Sequence, residues 1–260
     1  LALSQGNKQP VYQLLVTWVL MLAVMEGVGD LMGILHVPPM GAIFLEEFVL
    51  LTILYLLNHF WLRVPIRLKS DISWRGQLKI NVLPLIIILL DCLMLFLPHL
   101  QLTSRTILFI LFALVVGIFE EYLFRGVLSG GLLRSFRRFG QRRIWLAVGL
   151  SSLLFGMSHL INLSHQSLGM TVAQMLVNLG FGLLASAMYL RTGSLAWPIL
   201  LHFMDDARVL AHAGLSQHSV GLSTFSGALG GAILLVVYGG IAWWLLRRSQ
   251  WADISARFLK

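Results

Sequence analysis

Two adjacent glutamates and an arginine, Glu120, Glu121 and Arg125, interrupt the stretch FEEYLFRG inside an otherwise apolar run. Further along, LLFGMSHL carries His159, and LLHFMDD carries His202 with Asp205 and Asp206. A carboxylate can take a proton from water, and an imidazole can pass a proton or donate to a developing oxyanion. Together these side chains form a set suited to hydrolysis. The spacing divides their roles. Glu121 and Arg125 stand four apart, share one face of a helix and can pair. Glu120 points about 100° away from that face and keeps a free carboxylate. Phe155 and His159, and His202 and Asp206, repeat the four-residue spacing, with Asp205 three residues from His202.

The elements that must position these groups are membrane helices. Of 260 residues, 58% are apolar and 12% charged, far from the balance of a soluble domain. Long uncharged stretches recur at about 11–35, 40–62, 80–100, 105–130, 144–163, 169–190, 194–212 and 227–246. Each approaches the roughly 20 residues that cross a bilayer. The expected fold is therefore all-α and polytopic, with about eight spans and no separate domain within 1–260. The first stretch is too long for a cleavable signal peptide and is read as a span.

The net charge of +8 raises a nucleic-acid reading, which the positions of the charges dismiss. Lys8, the clusters at 63–79 and 134–143, Arg191, and the run from Arg247 to Lys260 all fall on one side of an eight-span chain. Arg105 alone falls on the other. By the positive-inside rule both termini are expected to be cytoplasmic. The basic clusters can meet anionic lipid. Cys92 is the single cysteine, so there is neither a disulfide framework nor a cysteine metal site.

The acids behave oppositely. Glu26, Asp30, Glu46, Glu47, Asp91, Glu120, Glu121, Asp205 and Asp206 all lie inside expected spans. A charge at mid-bilayer costs roughly 2.5–3.5 kcal/mol, so these groups need partners or a wet cavity. For Glu26, Asp30, Glu46 and Glu47, near outer helix ends, interhelical or interfacial hydrogen bonding is the expected role. Asp91 is left undecided. At 1.5 Å per residue, Glu120, His159 and His202 lie about 16, 22 and 12 Å from the cytoplasmic helix ends. Those depths bracket the bilayer centre and allow the three to converge on one water or ion. His36, His59, His99, His165, His212 and His218 fall at helix ends or in loops, where an interfacial role suffices.

The three motifs Glu-Glu-x-x-x-Arg, Phe-x-x-x-His and His-x-x-x-Asp, in this order, resemble the CAAX protease and bacteriocin-processing (Abi-like) family. That family is related to the type II CAAX prenyl endopeptidases. FRGVL and TGSLAWPILLHF are similar to it as well, and the resemblance spans about 115–210. It implies an intramembrane protease with its active site inside the helical bundle. Carried over by position, Glu120 is the general base, assisted by His159. Glu121 and Arg125 orient the site, and His202 with position 206 stabilises the oxyanion. The family more often has Asn where this chain has Asp206. An ionised carboxylate repels an oxyanion, so Asp206 must carry a proton or orient His202.

Two histidines and a glutamate are also a possible Zn²⁺ set. The chain lacks the His-Glu-x-x-His helix of zinc proteases, and a metal-free glutamate mechanism is slightly preferred. The implied partners are the lipid bilayer and a peptide or membrane-protein substrate. Short loops favour the bacterial branch, linked to bacteriocin maturation, self-immunity and peptide signalling. Two rival readings are a proton- or cation-coupled transporter and a non-catalytic bacteriocin immunity protein. The first lacks the internal repeat that transporters often show. The second leaves an intact Glu120, His159 and His202 without a purpose.

Overall fold

The computed structural model describes residues 10–96, 100–164, 166–213 and 224–259. Lys8, His99, His165, His218 and Lys260 therefore lie outside the described residues. Among the described residues there is no strand. The chain opens with α1 (Val11–Ile34) and α2 (Pro39–Leu57), the second winding on as a π-helix through Asn58–Leu62. Both are strongly apolar apart from Glu26, Asp30, Glu46 and Glu47, yet only 17% and 11% of their most apolar windows are buried. Val16, Val19, Phe48 and Phe60 point outward. An apolar helix surface left exposed is matched to lipid.

Within the third expected span, 80–100, lies one helix, preceded by a short helix in the stretch expected to be a loop. α3 (Trp74–Ile80) and α4 (Val82–Phe96) meet at 81°. Pro84 is the cause: it has no N–H for the carbonyl of Ile80, and its ring clashes there.

α5 (Ser104–Glu121) continues as a π-helix over Tyr122–Ser129 and then as α6 (Gly130–Ser135). A 3₁₀ segment, Phe136–Arg142, is broken at Gly140, whose φ is 57°. The chain then doubles back as α7 (Arg143–Ser158), so that Ser151 Oγ donates to the carbonyl of Phe124 at 2.6 Å. α7 gives way to 3₁₀ turns over His159–Ser164. α8 (Leu168–Thr192), α9 (Ala196–Ala213), α10 (Thr224–Leu245) and the short α11 (Trp251–Phe258) complete the order.

Among the described residues, five helical runs can cross a membrane by length and composition, and six with the bent pair. One of the five is Ser104–Ser164, which holds both α5 and α7. α9 is too polar by that measure, since it carries Asp205, Asp206 and Arg208. The fold is all-α and polytopic, and the most polar of its described long helices is the one that brings His202.

The centre of the bundle is α8, whose residues from Gly180 to Thr192 are nearly all buried. Small residues let its neighbours approach. A Cβ on Gly182 would lie 2.8 Å from Ser152 of α7, and one on Gly180 would lie 2.8 Å from Leu235 of α10. Close backbone approach of this kind is how helices associate where no hydrophobic drive separates protein from lipid. Gly193, at φ 66°, ends α8, and Arg257 Nη1 donates to the terminal carbonyl of Arg191 at 2.9 Å.

Candidate active site

Glu121 closes α5, and Arg125 lies one turn on, in the π-helical segment. Both side chains are 0% exposed, and Arg125 Nη1 lies 2.8 Å from Glu121 Oε1. Three rings surround the guanidinium: Phe155 at 4.4 Å, Phe181 at 5.4 Å and Phe124 at 5.9 Å. The electron-rich faces compensate a charge removed from water. This explains Phe155 of the Phe-x-x-x-His motif: it packs on Arg125 while its carbonyl holds His159.

α9 meets α5 at Gly117, where a Cβ would sit 3.4 Å from the backbone nitrogen of Phe203 and 3.6 Å from the Cβ of His202. The approach inserts His202 between the two glutamates. Its Nδ1 lies 2.7 Å from Glu121 Oε1. Its Nε2 lies 3.4 Å from Glu120 Oε2 and 3.4 Å from Asp206 Oδ2. With Glu121 held by Arg125, Nδ1–H is the donor, and Nε2 is turned to the remaining two acids. Glu121 thus does more than pair with Arg125, because it also fixes the ring of His202.

His159 sits where α7 changes to 3₁₀ winding. Its Nδ1 is 3.0 Å from the carbonyl of Phe155. A carbonyl only accepts, so Nδ1 carries the proton and Nε2 is left as an acceptor. A cavity of about 1060 Å³ is lined by Glu120, His159, His202 and Asp206 together. Its other walls are largely apolar, among them Phe112, Phe119 and Phe181.

The two neighbouring aspartates are distinguished by Arg208. Its Nη2 donates to Asp205 at 2.5 Å, and its Nε donates to Asp91 of α4 at 3.0 Å. Asp205 is committed to this bridge, and Asp206 faces His202. Asp91 thereby has a partner on α9.

Three features escaped the sequence reading. Gly117 lies three residues before Glu120, on the same side of the helix, and that spacing is a usable signal. Arg208 follows Asp205 by three, which also suggests pairing. Glu47 corrects an expectation: instead of serving at an interface, it lines the cavity of Glu120 and His202. Nothing near it in sequence marks this, since the contact joins α2 to α5 and α9.

With this geometry established, comparison with known proteins identifies one stretch. Residues 102–208 match the family model described as "Rce1-like: Type II CAAX prenyl endopeptidase Rce1-like". Over this stretch the chain is similar to the Rce1-like family. The match is consistent with the resemblance read from the motifs, and it contains Glu120, Glu121, Arg125, His159, His202 and Asp206. The Rce1-like stretch leaves α1 to α4, and so Glu47, outside it. No curated protein and no solved structure shows a significant match to the chain.

The side chains do not fit a zinc site. Among the described residues no three His, Cys, Asp or Glu side chains are grouped to hold a metal ion. No step below runs through a metal.

Proposed function

We propose that the protein is an intramembrane endopeptidase whose Rce1-like stretch hydrolyses a peptide bond with a water activated by Glu120. The observation that carries this reading is the position of His202, held by Glu121 and facing both Glu120 and Asp206 over one membrane cavity. Glu120 takes a proton from water as its oxygen attacks the carbonyl carbon. His159, with Nε2 free to accept, orients that water. His202 acts as an imidazolium, Nδ1–H on Glu121 and a second proton on Nε2, and donates from Nε2–H to the carbonyl oxygen as it becomes negative, a contribution commonly worth about 3–4 kcal/mol. The tetrahedral adduct collapses, and the proton on Glu120 passes to the leaving amine.

Asp206 acts in this scheme as an acceptor that aims His202 before the oxyanion forms. Glu121 and Arg125 hold the ring from the other side. The arrangement parallels the way a buried carboxylate sets a catalytic histidine in hydrolases. The substrate class is a peptide or a membrane protein presented from the bilayer. CAAX-type substrates are suggested by the family's description, and bacteriocin or signal-peptide maturation by the bacterial resemblance. Both termini face the cytoplasm, and the membrane is that of a bacterium.

The test is cleavage by purified protein in proteoliposomes, read by mass spectrometry of the products. A farnesylated CAAX-type peptide and its unprenylated counterpart are the first two substrates. Release of the C-terminal fragment by wild type, lost in Glu120→Gln, supports the reading. Equal release by both proteins overturns it.

A further inference from the structure

Glu47 has no place in the mechanism above, and the Rce1-like match does not reach it. Its carboxyl group nevertheless lines the same cavity as Glu120, His202 and Asp206. Oε2 is buried and has no hydrogen-bond partner among the described residues. The nearby guanidinium groups are engaged elsewhere, Arg125 with Glu121 and Arg208 with Asp91 and Asp205. Glu46, the adjacent acid, is not on the cavity wall.

A carboxyl oxygen buried without a donor costs about 1–3 kcal/mol, and native structures keep few of them. A residue that merely tied α2 to the bundle would show its partner on another helix. Glu47 shows none among the described residues. A peptide entering this cavity has the opposite difficulty. Its backbone N–H groups leave water for largely apolar walls, where each needs an acceptor.

We infer that Glu47 is a substrate-binding residue of this site, its carboxyl group accepting an N–H donor of the bound peptide. The inference rests on the protease reading and deepens it: α2, outside the matched stretch, supplies part of the substrate cavity. Binding and chemistry are then assigned to different acids, Glu47 to the first and Glu120 to the second.

The test measures affinity in nanodiscs for a fluorescent farnesylated CAAX-type peptide. Glu120→Gln serves as the parent, so that binding is read without cleavage. Adding Glu47→Ala is expected to weaken Kd by about tenfold or more. Adding Glu47→Gln, which retains a carbonyl acceptor, is expected to stay within about threefold of the parent, and so is Glu46→Ala. Thermal melting in the same discs checks each fold. An unchanged Kd in the Ala variant overturns the inference, as does an equal loss in Ala and Gln. If the Ala variant does not fold, Glu47→Gln decides alone: a Kd within threefold supports the inference, and a tenfold loss overturns it. A parent that does not bind the probe overturns it too. Cleavage by otherwise wild-type protein runs alongside. Cleavage without a Glu47 effect defeats only this inference, whereas binding without cleavage defeats the assignment of Glu120.

Discussion

At the residue scale the site is organised around one imidazole. His202 receives direction from Glu121 on one nitrogen and faces Glu120 and Asp206 with the other. Its replacement by Ala is expected to lower kcat by about 10²-fold or more, the usual effect of removing one oxyanion donor. KM should change little. Steady-state kinetics on the reconstituted enzyme checks this, and a loss confined to KM would contradict the role. Glu121→Ala should act differently, because it leaves Arg125 buried and unpaired at a cost of about 3–5 kcal/mol. Its signature is lost thermal stability together with lost activity, measurable by melting in detergent. Since the side chains do not fit zinc, a chelator should leave cleavage unchanged. Reversible inactivation restored by Zn²⁺ would contradict that. The pairs Glu121–Arg125 and His202–Asp206 were legible in sequence, because helical geometry alone brings residues four apart together. Asp205 was not separable from Asp206, because the difference lies in Arg208 and its reach to Asp91. Glu47 was misplaced for the same kind of reason: a cavity wall built by three helices leaves no local pattern.

At the element scale, helix contacts made by small residues set the distances that chemistry needs. Gly117 admits α9 beside α5, and Gly182 admits α8 beside α7. Gly117→Leu should push His202 from Glu120, with a large loss of kcat. Gly182→Leu should principally destabilise, by about 1–3 kcal/mol or more from overpacking. Melting and cleavage measured on both variants test the difference, and a stable, fully active Gly117→Leu would contradict the packing argument. The eight apolar stretches were legible as helices because membrane length and composition are strong signals. The bend between α3 and α4 was not read, although Pro84 marked it. The π-helical winding that follows Glu121 was not legible either, since no residue type specifies it.

At the scale of the whole molecule, the account makes the bundle a water-poor vessel with its reactive groups near mid-membrane. Apolar side chains cover its outside, and Glu120–His202, Glu121–His202 and Asp91–Arg208 join ionisable groups across helices. The basic clusters predict that both termini stay inside the cell. A reporter fused after Lys260 should behave as cytoplasmic and one inserted near Ser216 as external, both positions lying outside the described residues. An external C-terminus would contradict this topology and the depths inferred from it. The central claim is that Glu120 performs the chemistry while the rest of the site holds its shape. Its most direct measurement compares wild type and Glu120→Gln, equally folded by melting, for release of a C-terminal fragment from a peptide in proteoliposomes. The account predicts cleavage by the first and none above background by the second. Cleavage by Glu120→Gln at the wild-type rate would contradict it.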